Sequence, residues 1–233
     1  MSHPVRTQWI DIAPGFAGYL ALPPSGQGPG LVLFQEIFGV NEHIRGVAEQ
    51  YALAGFVVLA PDVFWREAPK VQLGYEGDDW NRAIALMKAY KTEDALSDIA
   101  KTVSVLRGRQ EVGANKVGTI GYCMGGRLAY QAAATTDIRA AVPYYGGGIH
   151  LQLERVAKIH CPMQFHYASD DANIPMDAVE QVRQAFAGKS AEVHVYPNSH
   201  HGFNCWARGT YDARSAALAH GRSLQFLTQH LFE

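Results

Sequence analysis

The fold is decided by one stretch of the sequence, Lys116-Val-Gly-Thr-Ile-Gly121-Tyr-Cys123-Met-Gly125. The first six residues are mostly apolar or β-branched, which predicts a buried strand over 116–121. A segment rich in small residues follows and predicts a helix from Met124 to Ala134. Cys123 lies at the turn between them, with a glycine two residues away on each side. This spacing is typical of a nucleophile elbow, a tight strand-to-helix turn that presents a reactive side chain.

Strands and helices alternate on both sides of this stretch. Further strands are predicted at Gly15–Leu22, Leu31–Phe34, Phe56–Ala60, Ile138–Tyr145, Pro162–Tyr167 and Glu192–Tyr196. Helices are predicted between Asn41 and Gly55, over Asp79–Tyr90, after a capping Thr92, over Met176–Phe186 and over Ala213–Leu231. This alternation predicts an α/β fold with a mostly parallel sheet and helices on both faces. Polar loops follow several strands, so we expect the functional site at the carboxyl edge of the sheet.

The composition indicates a globular protein with a sizeable core. Of the 233 residues, 48% are apolar and 18% are charged, which excludes a disordered chain. We predict a single domain spanning residues 1–233 and, because no unusually apolar surface helix stands out, a monomer. The formal charge of −2 argues against a nucleic-acid surface. No apolar run approaches the ~20 residues of a membrane span, and no apolar signal core stands near the start, so we expect a cytoplasmic protein.

Two polar residues that follow later strands are candidate partners for Cys123. Asp171 and His201 each lie in a loop after a predicted strand, in the chain order nucleophile, acid, histidine that elbow-containing hydrolases use. We favour Asp171 over Asp170 for its distance from the strand, and His201 over His200 because a glycine and a phenylalanine follow it directly. His201 would take the thiol proton and Asp171 would orient the imidazole. Alternatively, Cys123 is a small buried core residue, which is common for a free cysteine.

The loop Gln35-Glu-Ile-Phe-Gly-Val-Asn41 follows the predicted strand that ends at Phe34. In this arrangement the backbone N–H groups of Ile37 and Met124 are the candidate donors of an oxyanion hole. Glu36 is unexpected there, because a carboxylate near a thiol disfavours the thiolate. It is either functional or a solvated residue at the strand end.

These features together resemble the dienelactone hydrolase family, also called carboxymethylenebutenolidases. The resemblance rests on the cysteine elbow, the Gln-Glu-Ile-Phe-Gly-Val-Asn loop, Asp-x-x-x-Pro at 171–175 and His-Gly-Phe at 201–203. Ala-Pro-Asp-Val-Phe at 60–64 and Tyr-Tyr-Gly at 144–146 also match, so the resemblance extends over nearly the whole chain. It implies an α/β-hydrolase fold and a hydrolase that acts on a small lactone or ester without a cofactor.

The resemblance also implies roles for four residues. The family triad falls on Cys123, His201 and Asp171, and its regulatory carboxylate falls on Glu36. Glu36 is then expected to keep Cys123 a neutral thiol until the substrate displaces the carboxylate. The implied reaction opens dienelactone (4-carboxymethylenebut-2-en-4-olide) to maleylacetate through a thioester, as part of aromatic ring degradation.

The family binds the carboxylate of this substrate with arginines. Arg82 matches one of them, but the position of the second, four residues after the catalytic histidine, is Cys205 in this chain. Arg208 lies three residues further on and is the candidate replacement. Tyr144 and Trp206 are candidates for shaping a more apolar pocket.

Two other interpretations remain open at this stage. The protein could be a cysteine-dependent carboxylesterase or lactonase with a less acidic substrate. It could instead be a redox-responsive thiol protein, in which Cys161 or Cys205 resolves an oxidised Cys123. A metal site built from His160, Cys161, His166 and His194 was also considered, but these residues lack ligand spacing and we predict no bound metal.

Overall fold

The computed structural model describes residues 4–232 and contains one eight-stranded sheet. In chain order the strands are β1 Arg6–Ala13, β2 Phe16–Leu22, β3 Gly28–Phe34, β4 Val57–Pro61, β5 Val112–Tyr122, β6 Ala141–Tyr144, β7 Met163–Ala168 and β8 Ala191–Tyr196. Their order across the sheet is β1-β2-β4-β3-β5-β6-β7-β8. The pairs β1/β2 and β2/β4 are antiparallel, and all other pairs are parallel. The predicted mostly parallel α/β sheet is confirmed.

Six α-helices pack around the sheet in the described part of the chain. They are α1 Glu42–Leu53, α2 Gly77–Ala89, α3 Thr92–Arg107, α4 Met124–Thr135, α5 Met176–Ala185 and α6 Ala213–Leu231. Two glycines on neighbouring strands show that helices cover opposite faces of the sheet. Gly30, which pairs with Val117, faces Leu106 of α3, whereas Gly118, the next residue along β5, faces Leu231 of α6. Successive residues of a strand point to opposite faces, so α3 and α6 lie on opposite sides.

The central strands are buried on both faces, which explains their continuous apolar sequences. Every residue of β4, β6 and β7 is buried. The strand β1 is partly exposed, as an antiparallel edge strand can be. Among residues 4–232, no helix is long and apolar enough to cross a bilayer.

The structure corrects several details of the sequence-based prediction, among them the start of β6, which is Ala141 rather than Ile138. The edge strand β1 was not predicted, because its mixed polar sequence lacks the apolar run that marks a buried strand. The strand β5 begins at Val112 rather than Lys116. Thr92 is the first residue of α3 and not its cap; Lys91 occupies the capping position without a side-chain hydrogen bond. The prediction for Asn41 is confirmed, since its side chain accepts a hydrogen bond from the Ile44 amide.

Candidate active site

Cys123 lies at a strained turn between β5 and α4. Its backbone has φ of 58° and ψ of −116°, a positive φ that a residue with a side chain rarely adopts. The flanking glycines make this turn possible. A Cβ at Gly121 would lie 2.0 Å from the carbonyl oxygen of Gly125, and a Cβ at Gly125 would lie 2.3 Å from that of Phe34. The turn therefore has the backbone geometry that a nucleophile elbow requires.

His201 and Asp171 meet at the carboxyl edge of the sheet, where β8 and β7 end. The Nδ1 atom of His201 lies 2.7 Å from Oδ2 of Asp171, and the Asp171 side chain is almost completely buried. The other carboxylate oxygen accepts a hydrogen bond of 2.8 Å from the amide of Asn173. The neighbouring pair behaves differently, because His200 is exposed and its Nδ1 contacts only the carbonyl oxygen of Asp170, at 3.0 Å.

The electrostatics of His201 favour its charged form. Burial opposes a charged imidazole, but the thiolate charge of Cys123 and the hydrogen bond and charge of Asp171 outweigh that cost. The pKa of His201 therefore rises from an ordinary 6.5 to about 10. Together with the positive end of α4, at which Cys123 lies, the charged imidazole gives the side chain of Cys123 an electropositive environment.

A cavity of about 290 Å³ opens over the elbow, and both Cys123 and His201 line it. Most of the remaining wall is apolar and comes from the loop after β3 and from α2: Ile37, Phe38, Trp80, Ile84 and Met87. Ile37 and Met124, the two predicted oxyanion-hole residues, both line the cavity. Met124 is the first residue of α4, so its N–H lacks an acceptor within the helix.

Arg208 lies at the edge of this cavity and forms an ion pair with Glu36. Its Nη1 atom lies 3.3 Å from Oε1 of Glu36, and both side chains are largely buried. Burial raises the pKa of Glu36, although Arg208 and His201 oppose this rise. Glu36 is therefore not the solvated strand-end residue that the sequence left open. The guanidinium of Arg208 also lies over the rings of Phe38 and Trp80, at 5.7 and 5.9 Å from their centroids.

Three of the residues predicted to bind substrate do not line the cavity. Arg82 is exposed on α2, and Tyr144 is fully buried behind the elbow, where its hydroxyl pairs with Ser223 at 2.7 Å. Trp206 is 42% exposed and packs on His43. The side-chain direction that decides these positions cannot be read from spacing alone.

The structure also reveals Arg127, which sequence reasoning missed. It is half-buried on α4, lines the cavity, and its Nη1 donates to the carbonyl oxygen of Gly147 at 3.4 Å. The available signal was its position four residues after Cys123 at the start of a helix, because residues at that spacing share a face.

A strained cysteine elbow and a histidine–aspartate pair at the carboxyl edge of a mostly parallel sheet define a class: the protein is a hydrolase of the α/β-hydrolase fold. The sequence profile of the dienelactone hydrolase family matches residues 16–231, so the chain belongs to that family and is a lactone or ester hydrolase. It is 32% identical over 214 residues to a carboxymethylenebutenolidase of Pseudomonas putida, covering 91% of this chain and 90% of that protein.

Two further comparisons agree with this membership. A protein of Azospirillum brasilense, provisionally named carboxymethylenebutenolidase, is 35% identical over 219 residues, which cover 93% of this chain and 94% of that protein. A crystal structure from Klebsiella pneumoniae subsp. pneumoniae, provisionally named a dienelactone hydrolase, superposes with a TM-score of 0.85 at 29% identity. It covers 97% of this chain and 99% of that one.

Proposed function

We propose that this protein opens dienelactone, or a closely related enol lactone, to maleylacetate through a triad of Cys123, His201 and Asp171. The observation that carries the proposal is the position of His201. Its imidazole pairs with Asp171 at 2.7 Å, interacts with Cys123, and borders the same cavity as the cysteine. A histidine held between a buried carboxylate and a nucleophile is the arrangement that activates a thiol.

The proposed reaction has two covalent steps. The thiolate of Cys123 attacks the lactone carbonyl, and the ring C–O bond breaks to give a thioester and an enolate. The enolate takes a proton from the imidazolium of His201 and becomes the keto group of the product, which leaves His201 neutral. His201 then removes a proton from a water molecule, which attacks the thioester, breaks the C–S bond and restores the thiol. The N–H groups of Ile37 and Met124 are the donors for the oxyanion formed in each step.

The substrate carboxylate calls for a cation in the cavity. Arg127 and Arg208 are the two arginines of the lining, whereas Arg82 is exposed. A carboxylate that pairs with Arg208 competes with Glu36 for the same guanidinium. Such competition supports the gating role that the family resemblance implies for Glu36, because the displaced carboxylate can accept the proton of Cys123.

The apolar wall of the cavity favours a second candidate, a less acidic ester or lactone. Five apolar side chains form much of the lining, and Arg208 already has a carboxylate partner in Glu36. A neutral aryl ester would find apolar contacts in this cavity without needing a free cation.

The decisive experiment is to follow the loss of dienelactone absorbance with wild type, Cys123→Ala and a Cys161→Ser control. Rapid decay that only Cys123→Ala abolishes would support the first candidate. Decay of neutral aryl esters alone would replace it by the second. Full activity of Cys123→Ala on every substrate would overturn both.

The same purified protein tests the redox alternative. Cys123, Cys161 and Cys205 are all free thiols in the structure. Mass spectrometry after mild peroxide treatment would have to find a disulfide that contains Cys123 for a redox-responsive function to be retained.

A further inference from the structure

Glu36, His43 and Cys205 form a cluster of ligand-type side chains next to the catalytic cavity. One carboxylate oxygen, one ring nitrogen and the sulfur atom all lie within 4.8 Å of one another, and all three residues are buried. They come from separate parts of the chain: the loop after β3, the first turn of α1 and the loop that follows His201. Carboxylate, imidazole and thiolate are the three kinds of side chain that Zn²⁺ binds in proteins.

Three polar atoms of this cluster have no hydrogen-bond partner within residues 4–232. They are Oε2 of Glu36 and both ring nitrogens of His43. His43 is only 2% exposed and Glu36 only 1%. A buried polar atom without a partner typically costs about 1–3 kcal/mol, so several of them at one point call for a ligand that satisfies them. The rings of Trp206 and His43 pack in a T-shaped arrangement, with their centroids 4.1 Å apart.

The charges of the cluster match a divalent cation. The carboxylate of Glu36 and the thiolate of Cys205 would together balance two positive charges, and a neutral His43 adds a lone pair. Arg208 is the nearby opposing charge, but it pairs with Oε1 of Glu36 and leaves Oε2 available. Burial and the negative charge of Glu36 raise the pKa of the Cys205 thiol to about 12 in the metal-free protein. Metal coordination reverses this preference, because a coordinated thiol gives up its proton.

A second cavity borders the His43 side of the cluster. It has a volume of about 500 Å³, is lined by Asn41, His43, Tyr75 and Trp206, and shares no lining residue with the cavity above Cys123. Because both ring nitrogens of His43 are buried, a metal ion that enters from this cavity requires the side chains around the ring to move aside.

We propose that Glu36, His43 and Cys205 bind a divalent cation of the zinc type, with water in the fourth position. Binding forms bonds from the metal to Oε2, one imidazole nitrogen and Sγ, and the proton of the Cys205 thiol passes to solvent. No electron is transferred. The ligand atoms move together by less than about 1.5 Å, which brings them to the separations of a tetrahedral site.

This set differs from His160, Cys161, His166 and His194, for which the sequence predicts no bound metal. His166 is fully engaged by Tyr196, Gln164 and Ser223, and His194 contacts Glu192 at 3.0 Å. Both ring nitrogens of His43 are buried and have no hydrogen-bond partner in the described part of the chain, whereas neither His166 nor His194 has such a nitrogen.

The test titrates Co²⁺ into chelator-treated, fully reduced Cys123→Ser protein, so that the thiol of the elbow cannot contribute. We expect one equivalent to produce a near-ultraviolet thiolate-to-cobalt band and visible tetrahedral bands, and Zn²⁺ to displace them. A second substitution in the same protein, Cys205→Ser, should abolish the thiolate-to-cobalt band. Adding Cys161→Ser, which changes a cysteine elsewhere, should leave it intact.

His43→Gln provides an independent variant in case the serine substitution at Cys205 unfolds the protein. It should weaken cobalt binding by at least about tenfold while circular dichroism shows an unchanged fold. The proposal is overturned if the Cys123→Ser protein gives no thiolate band. It is equally overturned if the band survives Cys205→Ser, or if His43→Gln binds cobalt as tightly as its parent.

Discussion

Replacing Asp171 by asparagine tests the triad with little change of shape. The substitution removes the charge that accepts the 2.7 Å hydrogen bond from His201, at a site that is almost completely buried. Burial lowers the pKa of His201, but Cys123 and Asp171 raise it from 6.5 to about 10. That rise corresponds to a net preference for the imidazolium of roughly 5 kcal/mol, at ~1.36 kcal/mol per pKa unit.

Asp171 contributes to this preference both through its hydrogen bond and through its charge. A hydrogen bond to a charged group is worth about 1.5–3 kcal/mol, so its loss costs roughly 10- to 10²-fold in kcat/KM. The amide also favours the wrong imidazole tautomer, which costs up to about 10⁴-fold in related triads. We therefore expect kcat/KM at neutral pH to fall between roughly 10²-fold and 10⁴-fold in Asp171→Asn.

The assay is kcat/KM against pH for a soluble aryl ester, measured across the neutral and alkaline range. Because the folded-state pKa of His201 is raised, the imidazolium persists at neutral pH and is lost as the pH rises through about 10. The wild-type profile should therefore fall on its basic side near pH 10, and that limb should move to lower pH in Asp171→Asn.

Asp170→Asn is the matched control, since Asp170 is exposed and its carboxylate accepts a hydrogen bond from Ser169 at 2.7 Å rather than from a histidine. It should retain activity within about twofold. The reasoning is refuted if Asp171→Asn keeps wild-type activity, if Asp170→Asn loses as much, or if the basic limb does not move.

Three further predictions concern other parts of the site. Arg127→Met should raise KM for a carboxylate-bearing lactone about 10- to 100-fold, because a charged hydrogen bond to the substrate is lost, and should not affect a neutral aryl ester. Arg82→Met, at an exposed position, is the control, and equal effects of the two substitutions would contradict the assignment of Arg127. Gly125→Ala should lower the free energy of unfolding in urea by about 3 kcal/mol or more, because the new Cβ would meet two carbonyl oxygens at 2.3 and 2.4 Å. Gly209→Ala, where the new Cβ has open space, is the control. Similar urea midpoints for the two variants would contradict the close approach of the backbone at Gly125. Ser223→Ala should lower the free energy of unfolding in urea by about 1–3 kcal/mol, since its hydroxyl belongs to a buried hydrogen-bond network behind the elbow. The value of kcat/KM should stay within about twofold of wild type, and a large loss of kcat would instead give that network a catalytic role.

The elbow could be predicted from sequence because its signal is local. Two glycines around Cys123, an apolar strand before it and a helix of small residues after it all act within about 20 residues of chain. Asp171 and His201 could be predicted for a related reason: the carboxyl ends of parallel strands meet at one edge of the sheet. Thr92 shows the limit of local signals, since a good capping residue stands one position inside the helix that it was expected to begin.

The pocket walls could not be predicted in this way, because they depend on the direction of each side chain. Arg82 and Arg127 both lie on helices near the site, yet only Arg127 lines the cavity. Tyr144 ends a strand beside the elbow, but its ring points behind the sheet edge and its hydroxyl pairs with Ser223. These outcomes follow from helix and strand orientation, which spacing along the chain does not specify.

Arg208 shows how one sequence change redistributes the polar groups of this site. The family resemblance places an arginine where this chain has Cys205, and the structure brings the guanidinium of Arg208 to Glu36 from three residues further along. The smaller cysteine has its sulfur atom within 4.8 Å of a carboxylate oxygen of Glu36 and of a ring nitrogen of His43. If an arginine occupied position 205 instead, its charge would fall beside those atoms and oppose a cation there. We therefore expect Cys205→Arg to eliminate cobalt binding even if the fold and the His201–Asp171 pair persist.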